Sequence, residues 1–256
     1  MENITGGPQL FGTQHLIYMI IIFAASITAW ILLGKRIKDT KRQDFIIRIC
    51  GIILLAVLII NRACLVIYLK RPFLPQSWCS AVAMFTGICV LVLKRDHPAF
   101  HYLAPVGVIS GLMPTLLADY LNEGYLVSGS ETIFFPTTIS ALIYHNLLLF
   151  ISVLMFVFGF VKPSLKKWHY FVLGYGLCML YGVIYMELMD DDFTDIIGKS
   201  LNFMNINKPI IGSLDAGRIF LIGVPAFIIY LAAFDIFKYK KEGLIYKKLR
   251  KKDDTL

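Results

Sequence analysis

Cys79 closes the stretch Leu74-Pro75-Gln76-Ser77-Trp78-Cys79 and, with Ser80, opens a long apolar run. If that run is a membrane helix, Pro75 falls in its first turn, where a missing N–H costs nothing, and Cys79 lies one turn further in. The unpaired amides of a helix N-terminus carry the positive end of the helix dipole and favour a thiolate. A thiolate is a nucleophile, whereas a thiol packed among alkyl groups is inert, so Cys79 needs a base or a cationic neighbour before it can react. His145 is the side chain that could serve, because imidazole titrates nearest neutrality. The ordinary alternatives are a Cys packed as a small apolar residue and a His hydrogen-bonded inside a bundle.

These two residues are not isolated in the pattern. An ionisable or amide side chain inside a membrane span is expensive and normally faces the bundle interior or a wet cavity. A helical rise of about 1.5 Å per residue puts Cys79 roughly 5 Å, and His145 roughly 10 Å, below one face of the membrane. His15, Asn61, Arg62, Asp119, Asn146 and Arg218 fall toward the same face, so the sequence predicts a polar cavity there. Asn202 joins them if the last long loop folds back over the bundle, as its apolar residues Leu201, Phe203, Met204, Ile210 and Ile211 predict. Any one of these groups could instead be interhelical glue, and the two arginines could snorkel outward.

The elements that must position them are read from hydropathy. Of 256 residues, 57% are hydrophobic and 16% charged, with a mean hydropathy of +0.70, which excludes an ordinary soluble domain and gives an all-α, multi-pass protein of the cell membrane. Seven spans are predicted: 16–33, 45–69, 76–93, 100–120, 138–161, 168–186 and 218–237. They form one transmembrane domain over 1–237, a seven-helix bundle, followed by a basic tail over 238–256. Lys35, Arg36, Lys38, Lys41 and Arg42, then Lys94 and Arg95, then Lys162, Lys166 and Lys167 mark alternate connections, and the tail holds eight more basic residues up to Lys252. The positive-inside rule then puts the N-terminus outside and the C-terminus inside. The net charge of +8 is accounted for by topology and by anionic inner-leaflet lipids at the tail, with no nucleic-acid partner. Cys50, Cys64, Cys79, Cys89 and Cys178 show neither a disulfide framework nor metal-ligand spacing, so no metal and no cofactor are expected.

The chain resembles the YwaF-like bacterial integral membrane proteins. The resemblance rests on His15 at the first span, the Leu-Pro-x-x-x-Cys-Ser stretch from 74 to 80 and Tyr102 to Pro105 in the fourth span. It extends to His145 followed by a run of Leu, and to Asn202-Phe203-Met204, Lys208-Pro209 and Ser213-Leu214 in the last loop. That family is similar, more distantly, to TMEM-type phospholipid acyltransferases and to androgen-induced and ADTRP-type lipid hydrolases. The relatives use a Cys or Thr nucleophile with a His on another helix. The resemblance therefore implies Cys79 as nucleophile and His145 as general base. Where the family often reads Pro-Leu-His-Leu-Cys, this chain reads Pro75-Gln76-Ser77-Trp78-Cys79, with Ser77 in the place of the His.

The expected reaction is acyl transfer or ester hydrolysis on a phospholipid or fatty-acid ester in the outer leaflet, with Arg62 and Arg218 suited to a phosphate or carboxylate headgroup. Asn146, Asn61 and the amides near Cys79 are the candidate donors to an oxyanion. The competing expectation is a transporter or a lipid-binding protein without chemistry, for which Gly107, Gly111 and Pro114 in the fourth span would be helix-breaking signs.

Overall fold

The computed structural model describes residues 13–116, 136–189, 227 and 229–233. Their regular elements are helices: α1 Thr13–Arg36, α2 Thr40–Leu69, α3 Trp78–Val92, α4 Phe100–Leu116, α5 Pro136–Val157 and α6 Trp168–Met189, with a 3-10 turn Leu165–Lys167 leading into α6. The chain divides into two compact units, Met1–Val161 and Lys162–Leu256.

The seven predicted membrane spans are not found among the described residues. Among the described residues four helices, α1, α2, α5 and α6, are long and apolar enough to cross a bilayer. At about 1.5 Å per residue, the 15-residue α3 reaches only about 22 Å, short of a hydrocarbon core of about 30 Å. The sequence overcounts because apolar composition has two uses. In α3 it serves the protein core, where Ala81, Val82, Ala83 and Val90 are wholly buried, and a short apolar helix of that kind need not meet lipid. The orientation inferred above, with termini on opposite sides, needs an odd number of crossings and rested on seven, so it falls with that count. Of the predicted last span only 227 and 229–233 are described, and both long loops, 121–136 and 187–217, lie almost wholly outside the described residues.

A second boundary is displaced. Pro75 precedes α3 instead of entering its first turn, and Ser77 is the N-cap, so Cys79 is the second helical residue. Ser77 and Ser80 close a reciprocal capping box: Ser80 N–H donates to Ser77 Oγ at 3.2 Å and Ser77 N–H donates to Ser80 Oγ at 3.1 Å. A Pro cannot stop the helix as sharply as a Ser side chain can start it, because the cap satisfies an amide that would otherwise be orphaned.

In the first unit α5 is the hub. Thr137, Ser140, Leu142, His145, Asn146, Leu149, Ile151 and Leu154 are all buried and spread around most of the helix, as expected of a helix packed on several neighbours. Successive helices run antiparallel: Asn61 of α2 meets Thr137 of α5, while Asp44 at the other end of α2 shares Arg95 with Phe158 just beyond α5. Glycines permit the close approaches. A Cβ at Gly111 of α4 would lie 2.6 Å from both His145 O and Leu149 N, so the α4 and α5 backbones are in contact there. On α3, a Cβ at Gly87 would lie 2.5 Å from Leu55 Cγ of α2 and 3.3 Å from Gly51 O. α1 leans on this core through Trp30, which donates to Phe150 O at 3.1 Å and stacks on the Phe150 ring. Its other faces, with Ile17, Ile20, Ile21 and Ile31 exposed, are suited to lipid.

The basic end of this unit is latched by Arg95. Its guanidinium donates to Asp44 Oδ1 at 2.7 Å, to Gln43 Oε1 and to Phe158 O at 2.6 Å, tying the α3–α4 connection to α2 and to the turn after α5. In the second unit Phe171 of α6 stacks on Phe227 with ring centroids 3.6 Å apart, and Cys178, Tyr185 and Leu231 are buried.

Candidate functional site

The end of the first unit opposite Arg95 gathers the polar residues. α3 begins there with Cys79, whose side chain is half-buried and lies against Ser110 of α4. Being the second residue of α3, Cys79 stands where the helix dipole is strongest, since that effect fades within the first turn. The next residue of α4, Gly111, touches the backbone of His145 on α5. Consecutive residues of α4 therefore meet Cys79 on one side and His145 on the other, which puts the thiol-bearing and imidazole-bearing residues at one level of the bundle.

His145 is buried, and its Nδ1 lies 2.8 Å from Ala141 O. A carbonyl only accepts, so Nδ1 carries the proton and Nε2 keeps its lone pair in the neutral ring. That is the tautomer a general base requires. The Tyr144 ring lies 4.0 Å from the imidazole, centroid to centroid. Among the described residues no hydrogen bond joins Cys79 to His145, whose Nδ1 is taken by Ala141 O. Among the described residues, no three His, Cys, Asp or Glu side chains come together as they would around a metal ion.

Around this pair the other predicted residues have definite occupations. His15 Nε2 donates to Thr115 O at 2.8 Å, joining α1 to α4. Asn146 spends one N–H on Leu142 O at 2.7 Å and the other on Tyr18 Oη, while its Oδ1 is 3.2 Å from the Thr115 hydroxyl. Its amide is thus saturated by protein, and it joins α1, α4 and α5 rather than waiting for an oxyanion. Asn61 likewise donates to Thr137 O at 3.2 Å and Ser140 Oγ at 3.0 Å, stitching α2 to the start of α5. Arg62, buried, donates through Nε to Phe73 O at 3.0 Å and through Nη2 to Pro72 O and Gln76 Oε1, so its fork holds the α2–α3 connection that delivers Cys79. Asp119, Asn202 and Arg218 lie outside the described residues.

The model of the TMEM164 family matches residues 10–237. The chain belongs to the TMEM164 family. It is an integral-membrane family related to the YwaF-type proteins, and the match covers all the helices described above. No curated protein and no solved structure matches the chain. In this member of the TMEM164 family, Ser110, Thr115, Tyr18 and the Ser77–Ser80 cap stand among the candidate residues; the sequence reading passed over the first three and named Ser77 and Ser80 without their capping role. The cap was legible as Ser-x-x-Ser before an apolar run. Ser110, Thr115 and Tyr18 were not, because hydroxyls inside apolar helices carry no positional signal until the facing helix is known.

The two glycines read as transport signs have a packing reason instead. α4 runs unbroken from Phe100 to Leu116, and Gly107 and Gly111 admit Ser152, Leu148 and the α5 backbone.

Proposed function

We propose that this protein acts on membrane lipid esters by acyl transfer or hydrolysis, with Cys79 as nucleophile and His145 as base. The observation that carries the reading is the contact of Ser110 with Cys79 beside that of Gly111 with His145, on consecutive residues of α4. His145 Nε2 takes the thiol proton as Sγ attacks the ester carbonyl. The tetrahedral oxyanion collapses, the C–O bond to the glycerol or alcohol breaks, and His145 returns the proton to the leaving oxygen. The acyl group is then a thioester on Cys79. Water or an acceptor hydroxyl, deprotonated by the same Nε2, releases it as a free acid or a new ester. Ser110 donates to the sulfur while it carries charge, and the Cys79 amide at the start of α3 is the nearest backbone donor for the oxyanion. Asn61, Asn146, His15 and Arg62 hold the helices that bring the pair to one level. Membership of an integral-membrane family supports a lipid substrate.

A binding protein without chemistry is favoured by one observation, the engagement of both N–H donors of Asn61 and of Asn146 by protein partners. The two readings part in a direct assay. The purified full-length protein is incubated with mixed phospholipid vesicles, and lysolipid, free acid and remodelled species are followed by mass spectrometry. Wild type is expected to change the acyl profile and to carry a hydroxylamine-labile acyl group at Cys79, while Cys79→Ala and His145→Gln do neither. Equal activity in Cys79→Ala would remove the nucleophile, and a folded wild type with no turnover on any ester would leave the binding reading.

A further inference from the structure

The far end of the first unit carries a second site, independent of the acyl-transfer reading. Asp44, Arg48, Leu93, Lys94, Arg95 and Phe160 line a cavity of about 300 Å³ between α2, the α3–α4 connection and the turn after α5. Its cations are of two kinds. Arg95 is spoken for by Asp44, Gln43 and the Phe158 carbonyl, and its guanidinium lies 5.3 Å from the Phe160 ring centre. The side chains of Arg48 and Lys94 are exposed, and neither makes a hydrogen bond or ion pair with any described residue. Three cations face one carboxylate, so the wall is left with an excess positive charge and two free donor groups, a fork and an ammonium. A phosphate fits both, one bidentate and one as a point charge.

Depth decides where that phosphate comes from. α2 has 30 residues and is therefore about 45 Å long, about 15 Å more than the hydrocarbon core of a bilayer. The excess belongs at its N-terminal end, where Lys41, Arg42, Gln43, Asp44 and Arg48 are found, so Arg48 stands at headgroup level. The cavity also has apolar flanks. Phe45, Ile49 and Ile52 follow one another along the α2 face that bears Arg48, and all are exposed, as is Val92 beside Leu93 on α3 at 70%. A free phosphate has no use for such flanks, whereas acyl chains do.

We propose that this cavity binds an anionic phospholipid, with its phosphate held by Arg48 and Lys94 and its chains lying along Phe45, Ile49, Ile52 and Val92. The Arg95–Asp44 pair sets the wall and does not itself reach for the ligand. Binding there would couple the leaflet to the latch that fixes α2, the α3–α4 connection and the end of α5.

The test is lipid retention by the full-length protein. It is purified from membranes into detergent, exchanged into mixtures of phosphatidylglycerol and phosphatidylcholine, and bound lipids are counted by native mass spectrometry. Wild type is expected to keep one phosphatidylglycerol in preference to phosphatidylcholine by about 25-fold. Arg48→Gln and Lys94→Gln should each reduce that preference about fivefold, and the double variant should abolish it. The control pair Lys41→Gln and Arg42→Gln, equally exposed on α2 but outside the cavity lining, should leave it intact. No preference in wild type, or equal loss in the control pair, would overturn the site. Displacement of the lipid by millimolar inorganic phosphate, with phosphate binding unaffected by apolar-to-polar changes at Phe45 and Ile49, would make it a free-phosphate site and overturn the lipid assignment. The wild-type preference requires no variant to fold.

Discussion

Gly111→Ala tests the geometry on which the candidate site depends. The added Cβ would stand 2.6 Å from His145 O and Leu149 N and 2.7 Å from Leu149 Cβ. The first two are backbone atoms of a buried helix and cannot swing away, so α4 and α5 must part by about 0.8 Å to restore the 3.4 Å of ordinary contact. Overpacking of this kind costs about 1–3 kcal/mol, and the better helix propensity of Ala returns about 1 kcal/mol of it. Gly176→Ala on α6 supplies the control, since nothing lies within 4 Å of its Cβ and only the propensity gain remains. The difference between the two variants therefore isolates the overpacking term, about 1–3 kcal/mol. Gly107→Ala should fall between them, because its Cβ meets the Ser152 hydroxyl and Leu148 Cδ1, side-chain atoms that can turn aside. Thermal unfolding of the detergent-solubilised proteins, followed by tryptophan fluorescence, gives the order. Activity gives a second readout. A displacement approaching 1 Å between reacting groups costs up to about a hundredfold in rate, so Gly111→Ala should lose more turnover than its stability loss explains. A Gly111→Ala protein as stable and as active as Gly176→Ala would show that α4 and α5 do not meet backbone to backbone at His145, and the shared level of Cys79 and His145 would go with it.

Two further outcomes follow from the hydrogen bonds around α3. Ser77→Ala removes the N-cap and should cost about 1 kcal/mol, while Ser77→Asp restores an acceptor for the Ser80 amide and should recover most of it; unfolding midpoints of the three proteins decide. Arg62→Met should loosen the connection from Lys70 to Ser77 and raise its cleavage by added protease, and Arg62→Lys should rescue little, because a single ammonium cannot span the carbonyls of Pro72 and Phe73. Wild-type protection in Arg62→Lys would mean that the fork is not what holds the connection.

Composition alone determined that this chain is a multi-pass membrane protein, because so apolar a sequence has no other solvent in which to fold. Periodic spacing went further. One helical rise per residue is enough to put His15, Asn61, Arg62, Cys79, His145 and Asn146 toward one end, and the contacts of α1 to α5 gather them there. What the linear order could not supply was the use to which each apolar or polar group is put. α3 is as apolar as a membrane span yet too short to be one, and Ala81, Val82, Ala83 and Val90 serve a protein core. Asn61, Asn146 and Arg62 are polar at membrane depth, yet they are occupied, Asn61 by α5, Asn146 by α1 and its own helix, and Arg62 by carbonyls of the α2–α3 connection. A hydrogen bond needs its partner within about 3 Å, and which partner arrives depends on contacts between residues 76 to 128 positions apart, such as Asn61 with Thr137 and Tyr18 with Asn146. The bare sequence could name the thiol and the imidazole. Only the close packing of Gly111 on α5, beside Ser110 on Cys79, brings them to one level, because helix pairing is decided by surface fit along whole helices and not by the residues that react.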